Sequence, residues 1–210
     1  MLSRRGWLHL FTRGTLAAMG DAAMTHRMSA PEYLAWERNQ TEKHEYHRGE
    51  VFAMAGGKPR HNLLSATAVV ALHTALRGKG CLVLSSDQRI AAGSGERYVY
   101  ADAVVVCGGL KMEQGTDDVL TNPSVIIEIL SPSTEAYDRG QKWEAYRRLA
   151  SLTDYLLVSQ TSARVEHFQR ETEDSWRYRV LGAGDSITLA NGASVSVDAI
   201  YEGAFDLEAG

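Results

Sequence analysis

Cysteine is nearly absent from this sequence, which has only two among 210 residues. Cys81 and Cys107 both lie in apolar runs, CLVL and VVVC. Two such thiols give no support to a disulfide scaffold or to a four-ligand zinc site. We therefore expect two buried free cysteines in a reducing cytoplasm.

A surplus of positive charge and a long hydrophobic run are also missing. Lysine and arginine total 22 against 26 aspartates and glutamates, which gives a net charge of −4. No overall basic field is available to attract nucleic acid, so any such contact must use a local patch. No run approaches the roughly 18 apolar residues of a membrane span, so we predict no membrane partner.

The N-terminal segment has some features of an export signal and lacks others. SRRGWLHLF at positions 3–11 resembles a twin-arginine signal, but Arg13 interrupts its apolar part and no clean small-residue cleavage site follows. Alternative translation starts lie at Met19, Met24 and Met28. We interpret residues 1–27 as a disordered leader or as sequence upstream of the true start. Residues 28–210 suit a single domain with one core.

Periodicity predicts alternating helices and strands. Ser29, Pro31 and Glu32 have the pattern of a capped helix start. The predicted elements are a helix at about 30–39, a hairpin at 43–55 centred on Arg48-Gly49, a helix at 61–77, strands at 81–91, 98–107 and 123–130, a helix at 137–150 and a strand at 154–159. Short alternating strands follow residue 164, where they extend the sheet or form a hairpin lobe.

Two carboxylates stand out in this pattern. Asp102 in YVYADAVVV and Glu128 in VIIEIL are each the only charge in a run that otherwise resembles a buried strand. An ionised carboxylate in such a place is costly unless it is paired, hydrogen-bonded or bound to a metal. On neighbouring strands the two can converge on Mg²⁺ or Mn²⁺, which prefer oxygen ligands. The alternative is that a buried arginine or backbone amides satisfy each carboxylate; the arginine candidates are Arg89, Arg97 and Arg139.

Four segments of the chain resemble a family of bacterial restriction-endonuclease-like proteins within the PD-(D/E)XK nuclease superfamily. They are GEVFAMAGGKPRHN at 49–62, SSDQRI at 85–90, YADAVVVC at 100–107 and IIEILSPSTEAYDRGQKWEAYRRLASLTDYLLV at 126–158. The resemblance implies a restriction-endonuclease-like α/β (α+β) core, in which helices flank a mixed β-sheet, with extra C-terminal strands. It also implies a metal site at a forked strand edge.

By this resemblance Asp102 matches the aspartate of the PD element and Glu128 the acidic residue of (D/E)XK. Ala101 replaces the proline, which does no chemistry. The lysine expected two residues after Glu128 is replaced by Leu130, and Lys142 on the following helix matches the place to which related sequences move it.

The implied metal ligands are Asp102, Glu128 and the main-chain carbonyl of Ile129. Lys142 would hold or deprotonate the attacking water and stabilise charge on the phosphate. If it has no such role, Lys142 is an exposed helix residue that pairs with Asp138.

The resemblance adds accessory positions, and each also has a simpler interpretation. They are Glu50, His61, Asp87, Arg139 and Tyr146. Glu50 can instead pair with Arg48 or Lys43, His61 can be a solvated capping residue, Asp87 can begin a turn and Tyr146 can belong to the core. The local basic cluster for phosphate contact comprises Arg139, Lys142, Arg147 and Arg148, with Lys58 and Arg60 near the start of the long helix.

Three functions follow from these residues. The first is a cytoplasmic Mg²⁺-dependent endonuclease that cuts DNA by water attack and leaves a 5′-phosphate, acting as a homodimer if it cuts both strands. The second is a weak or inactive nucleic-acid-binding or regulatory protein that keeps the fold. The third is an interaction protein whose carboxylates are paired with Arg89 or Arg97. The position of Lys142 relative to Asp102 and Glu128 separates the first from the second.

Overall fold

Strands contain more residues than helices in this structure, a computed structural model that describes residues 24–54, 56–93 and 95–206. The strands are β1 Met24–Arg27, β2 His44–His47, β3 Glu50–Ala53, β4 Cys81–Ser85, β5 Arg89–Ala91, β6 Arg97–Tyr100, β7 Ala103–Cys107, β8 Val119–Leu120, β9 Val125–Leu130, β10 Asp154–Ser159, β11 Arg164–Arg170, β12 Trp176–Gly182, β13 Ser186–Thr188 and β14 Ser194–Ser196. The helices are α1 Ala30–Glu37, α2 Pro59–Ala75, α3 Glu135–Tyr137, α4 Trp143–Tyr146 and α5 Val197–Ile200. A π-helical turn, Asp138–Lys142, joins α3 to α4.

The described strands form two six-stranded sheets and one hairpin. The first sheet has the order β1-β3-β2-β6-β5-β8, the second has the order β12-β11-β10-β9-β7-β4, and β13 pairs with β14. Each large sheet is mixed, because β8 is parallel to β5 and β10 is parallel to β9 while the other pairs are antiparallel. The predicted mixed sheet flanked by helices is therefore confirmed, as are the extra C-terminal strands.

The early hairpin forms where the alternation predicted it. Arg48 and Gly49 connect β2 to β3 with positive φ angles of 49° and 95°. Two successive left-handed residues make the tight turn whose twist suits paired antiparallel strands. Residues 24–27 pair with β3 as well, so part of the predicted leader belongs to the sheet. The rest of the leader, with its signal-like segment, lies outside the described residues.

Two predicted strands are each divided between the sheets. The run at 81–91 becomes β4 in the second sheet and β5 in the first, and the run at 98–107 becomes β6 and β7. Continuous apolar character concealed the break in the second run, because β6 and β7 are both buried strands. In the first run β4 is only partly buried, and the polar residues 86–88 separate it from the buried β5. Asp102 lies at one break, between β6 and β7, where the chain passes from one sheet to the other.

Both faces of the second sheet are covered, which explains the apolar runs in β7 and β9. On one face, Leu64 and Leu72 of α2 are fully buried in a cluster with Ile127. On the other face, Tyr146 of α4 packs in a cluster with Ile126. None of the described helices combines the length and apolar character needed to cross a membrane.

The prediction of two free cysteines is wrong for this structure. Cys81 and Cys107 lie directly opposite each other on the antiparallel strands β4 and β7, with Cα atoms 4.1 Å apart, and form a disulfide. Beside them, Gly108 N donates to Gly80 O at 3.2 Å, so these glycines form a hydrogen-bonded pair of the antiparallel ladder. Since the two pair types alternate along the ladder, the cysteines form a non-hydrogen-bonded pair, in which side chains lie closer together. The two apolar runs are neighbouring strands, and the sequence did not show that.

Candidate active site

Asp102 and Glu128 meet where β7 begins beside β9. Ala103 pairs with Ile127, so the next position in the antiparallel register sets Asp102 against Glu128. Asp102 N donates to Ile127 O at 3.1 Å, and its Oδ2 accepts from Ile129 N at 2.7 Å. The Glu128 side chain is only 4% exposed, whereas that of Asp102 is 16% exposed. The pair therefore opens to solvent at Asp102.

Lys142 reaches Glu128 from the π-helical turn that follows β9. Its Nζ donates to Glu128 Oε1 at 3.0 Å and to the main-chain oxygen of Tyr100 at 2.9 Å. The side chain is only 6% exposed, so Lys142 is not the exposed helix residue of the alternative interpretation. Leu130 stands where the strand lysine is expected and cannot donate to Glu128. The long side chain of Lys142 brings an ammonium to that carboxylate from the next helix.

Two further carboxylates surround Lys142. Its Nζ lies 3.3 Å from Glu45 Oε1 and 3.6 Å from Asp138 Oδ1, and both carboxylates are buried. Glu45 Oε2 also accepts from the hydroxyl of Tyr137 at 2.7 Å. Sequence reasoning missed Glu45 and chose Glu50 in the same hairpin. The available signal was position, because Glu45 lies inside a strand while Glu50 begins one.

Tyr146 completes the surroundings of Glu128. Its hydroxyl donates to Glu128 Oε1 at 3.0 Å, and the side chain is fully buried. The same oxygen accepts from Lys142, so two donors hold it in one orientation. Tyr146 belongs both to the core and to the site, and the sequence had presented these as alternatives.

The electrostatics of the site keep Lys142 charged. Burial acts to lower the pKa of Lys142, but the attraction of Glu128 and Glu45 outweighs it and places that pKa well above its usual range. Burial raises the pKa of Glu128 well above its ordinary value, although Lys142 acts in the opposite direction. Burial also raises the pKa of Asp138. The cluster therefore favours the ammonium form of Lys142, while burial raises the pKa of two of its neighbours, Glu128 and Asp138.

His61 lies at the exposed side of the site, in the first turn of α2. Its Nε2 is 3.4 Å from Asp102 Oδ1, and interaction with Asp102 raises the pKa of His61. Its Nδ1 is buried and has no hydrogen-bond partner among the described residues. The lack of a side chain at Gly57 allows this packing, since a Cβ there would lie 2.7 Å from His61 Nδ1.

Three of the predicted accessory residues lie outside this group of contacts. Glu50 is 3.7 Å from Arg27, and Asp87 is 3.1 Å from Lys43, both as ion pairs at the surface. Arg139 contacts Glu135 and Glu166. Each of these three side chains is therefore engaged in an ion pair that does not include Asp102, Glu128 or Lys142.

The arginine partners proposed as an alternative bind elsewhere. Arg89 donates to the Tyr100 hydroxyl at 2.9 Å and to Asp118 at 3.2 Å. Arg97 donates to the main-chain oxygen of Gln141 at 2.6 Å. The interpretation in which Arg89 or Arg97 engages both strand carboxylates is therefore wrong.

The donor set fits a hard divalent cation with few protein ligands. Among the described residues, no group of three or more His, Cys, Asp or Glu side chains is arranged to hold a metal ion. Mg²⁺ commonly uses one or two carboxylates and retains several waters. Asp102 and Glu128 match that pattern, and the solvent-facing side of Asp102 leaves access for water.

Comparison with known proteins shows where this arrangement belongs. A sequence model of the Uma2 family, described as "Putative restriction endonuclease", matches residues 30–199. The chain belongs to this family. The resemblance seen in the four sequence segments is thereby confirmed.

Relatives of similar length extend the comparison. The uncharacterized protein slr1290 of Synechocystis sp. is 35% identical over 189 residues, which cover 90% of this chain and 98% of the relative. The uncharacterized protein sll1609 of the same organism is 34% identical over 154 residues, 73% of this chain and 87% of the relative. A crystal structure described as a "putative nuclease belonging to DUF820" from Anabaena variabilis has a TM-score of 0.68 at 13% identity, covering 85% of this Uma2 chain and 99% of the other. That likeness concerns the fold.

Proposed function

We propose that this Uma2 protein is a divalent-metal-dependent phosphodiesterase that hydrolyses DNA. The observation that carries the proposal is the contact of the Lys142 ammonium with Glu128. In the strand register Glu128 lies directly beside Asp102. This contact supplies the lysine that is missing from the strand at Leu130. The site therefore contains two carboxylates and one lysine. Family membership and the nuclease-like fold support the same reaction class.

Asp102 and Glu128 would hold Mg²⁺ or Mn²⁺, with the main-chain carbonyl of Ile129 as a third ligand. When bound, the metal supplies Lewis-acid activation of water and of the phosphate. The hydrogen bond from Ile129 N to Asp102 Oδ2 fixes the carboxylate and leaves its Oδ1 on the open side. Hard oxygen ligands of this kind favour these cations over zinc.

Lys142 would stabilise negative charge on the phosphate rather than remove a proton from water. Its raised pKa keeps the ammonium form, and a fixed cation in a site with little water is effective against developing charge. Glu45 and Tyr146 hold Lys142 and Glu128 in place. In the reaction, a water oxygen forms a bond to phosphorus, the bond from phosphorus to the 3′-oxygen breaks, and one water proton passes in net terms to that oxygen, which leaves a 5′-phosphate and a 3′-hydroxyl.

We also propose the cytoplasm as the location and a homodimer as the form that cuts both strands of a duplex. Two copies of the site are the simplest means of two paired cuts.

Isothermal titration of Mn²⁺ into the full chain, together with a plasmid-nicking assay, tests the proposal. Asp102→Asn should abolish both metal binding and nicking. Lys142→Met should retain metal binding and lose nicking by at least about 100-fold, the usual scale for removal of a fixed charge-stabilising group. Asp87→Asn, which removes an exposed carboxylate outside the site, is the matched control and should behave as the wild type.

A wild-type chain that binds no Mn²⁺ and does not nick DNA would overturn the enzymatic proposal. Nucleic-acid binding without nicking would instead leave the second function, an inactive binding protein that retains the fold.

A further inference from the structure

A row of side chains leads from the catalytic centre to the edge of the second sheet. Leu157 pairs with both Glu128 and Glu166, and Glu166 pairs with Val180, so the four residues lie across four neighbouring strands. Residues opposite one another project from the same face. Since neighbouring strands are about 4.8 Å apart, Glu166 lies roughly 10 Å from Glu128 on the same face.

Glu166 anchors two arginines in this row. The carboxylate is 4% exposed and accepts from Arg139 Nη2 at 2.8 Å and from Arg164 Nη1. Arg139 has a second partner, since its Nε donates to Glu135 at 2.8 Å. The Arg164 side chain is 42% exposed, although its Nη1 donates to the buried carboxylate of Glu166. The anchor thus fixes a partly exposed arginine at the surface of the sheet.

Tyr178 lies beside these arginines on the edge strand β12. It pairs with Phe168 on β11, and their ring centroids are 5.0 Å apart. Tyr178 is 50% exposed and the next residue on that face, Val180, is 49% exposed. A half-exposed aromatic ring therefore lies on a packed base, close to the partly exposed side chain of Arg164.

We infer that Arg164 and Tyr178 form a platform for an unpaired segment of the nucleic-acid strand that enters the catalytic centre. Arg164 would contact a phosphate and Tyr178 would stack on one base. The inference rests on the proposed function and adds the substrate form to it. The Arg139–Glu166 pair holds the platform, and Arg139 lies one helical turn before Lys142, which links the platform to the site.

The chemistry of the two contacts matches single-stranded nucleic acid. An arginine fork matches phosphate oxygens, and aromatic side chains stack on any base without reading its identity. Stacking needs a base that is free of its pair, which favours a single-stranded or splayed segment over an intact duplex. The exposure of Tyr178 gives such a base access from the open edge of the sheet.

Fluorescence anisotropy of a labelled 12-nucleotide single strand, bound to the full chain without metal, tests the platform. Tyr178→Ala should weaken binding by roughly 5- to 150-fold, the scale of one lost base stack. Tyr178→Phe should stay within about twofold of the wild type because the ring remains. Arg164→Ala should make the slope of log affinity against log salt concentration shallower by about 0.7, because one phosphate contact is lost.

Arg179→Ala is the matched control, since Arg179 is on the same strand as Tyr178 and projects from the opposite face. It removes the same charge as Arg164→Ala and should change affinity by less than about twofold. Thermal unfolding checks that each variant is folded, which exposed positions should allow.

Two results would overturn the inference. One is wild-type affinity in both Tyr178→Ala and Arg164→Ala; the other is equal loss in Arg179→Ala and Arg164→Ala. Either result, obtained while the wild type nicks plasmid with Mn²⁺, leaves the proposed phosphodiesterase intact. A wild type that neither nicks DNA nor binds the single strand would overturn both.

Discussion

Lys142 is a buried cation that holds several buried carboxylates together. Its ammonium contacts Glu128 and Glu45, and the carboxylate of Asp138 lies one helical turn away at 3.6 Å. Removing one partner of a buried ion pair is far more costly than replacing both, because the other charge stays without compensation. The same residue therefore serves stability and the proposed chemistry, and variants must separate the two.

A double-mutant cycle separates them. Lys142→Met should lower the free energy of unfolding by about 3–5 kcal/mol, because Glu128 loses its countercharge. Adding Glu128→Gln should cost less than the sum of the two single changes, with a coupling of about 1–3 kcal/mol. Urea unfolding at pH 7 measures these values. Nicking should stay absent in the double variant even where stability returns.

Lys79→Met, a change at an exposed lysine, should stay within about 0.5 kcal/mol of the wild type and is the control. Strict additivity of Lys142→Met and Glu128→Gln would contradict the buried pair, since independent sites do not couple.

At the same scale, the sequence indicated some side chains of the site and concealed others. Asp102 and Glu128 could be recognised because each interrupts an apolar strand. Glu45 offered only its position inside a strand, because its partner Lys142 is 97 positions away by number and comes close only when the two sheets meet. A contact between sheets leaves no local pattern in either segment.

Among the elements, β4 is an edge strand attached to β7 by its ladder and by the Cys81–Cys107 bond. β7 begins at the residue after Asp102, so whatever stabilises β7 also supports one side of the site. The bond closes a segment of 26 residues. A closed loop of this length restricts the unfolded chain and stabilises the fold by about 3–4 kcal/mol in the chain-entropy treatment.

Changing both cysteines to serine should therefore lower the Tm of the air-oxidised protein by roughly 6–16 °C. Dithiothreitol should lower the wild-type Tm to a similar extent and should leave the Cys81→Ser/Cys107→Ser variant unchanged. Differential scanning fluorimetry makes the measurement. Two free thiols found by alkylation and mass spectrometry in the oxidised wild type would contradict the bond.

Prediction of the elements succeeded where periodicity is local and failed where the chain changes sheet. The capping box at Ser29 and Glu32 forms as expected, and so does the turn at Arg48-Gly49. The run at 98–107 is different, because β6 and β7 are both buried strands and apolar content is continuous across them. The break at Asp102 is set by tertiary packing, so the strand-like run does not reveal it.

At the scale of the whole molecule, the proposed centre lies where the two sheets meet. The first sheet contributes Glu45 and the carbonyl of Tyr100, and the second contributes Glu128. The helix that follows β9 inserts Lys142 between these groups. An arrangement built from both sheets should depend on the integrity of the entire fold, in contrast to a site formed within one hairpin.

The charge of the whole molecule also limits how it can bind nucleic acid. A net charge of −4 gives no general attraction, so affinity must come from a few local cations such as Arg164 and Lys58. Each phosphate contact to a single strand contributes about −0.7 to the slope of log K against log salt concentration. Two or three contacts therefore predict a slope of about −1.5 to −2.

Anisotropy titrations of the labelled single strand between 50 and 200 mM KCl measure this slope. The affinity of proteins for nucleic acid varies strongly over this range of salt concentration. A peptide nucleic acid of the same sequence, which has no phosphates, is the control and should show no salt-dependent binding. A slope steeper than about −5 would require many more cationic contacts than the local patch offers. Binding would then involve a broad cationic surface. The net negative charge of the chain would act against the attraction of nucleic acid to that surface.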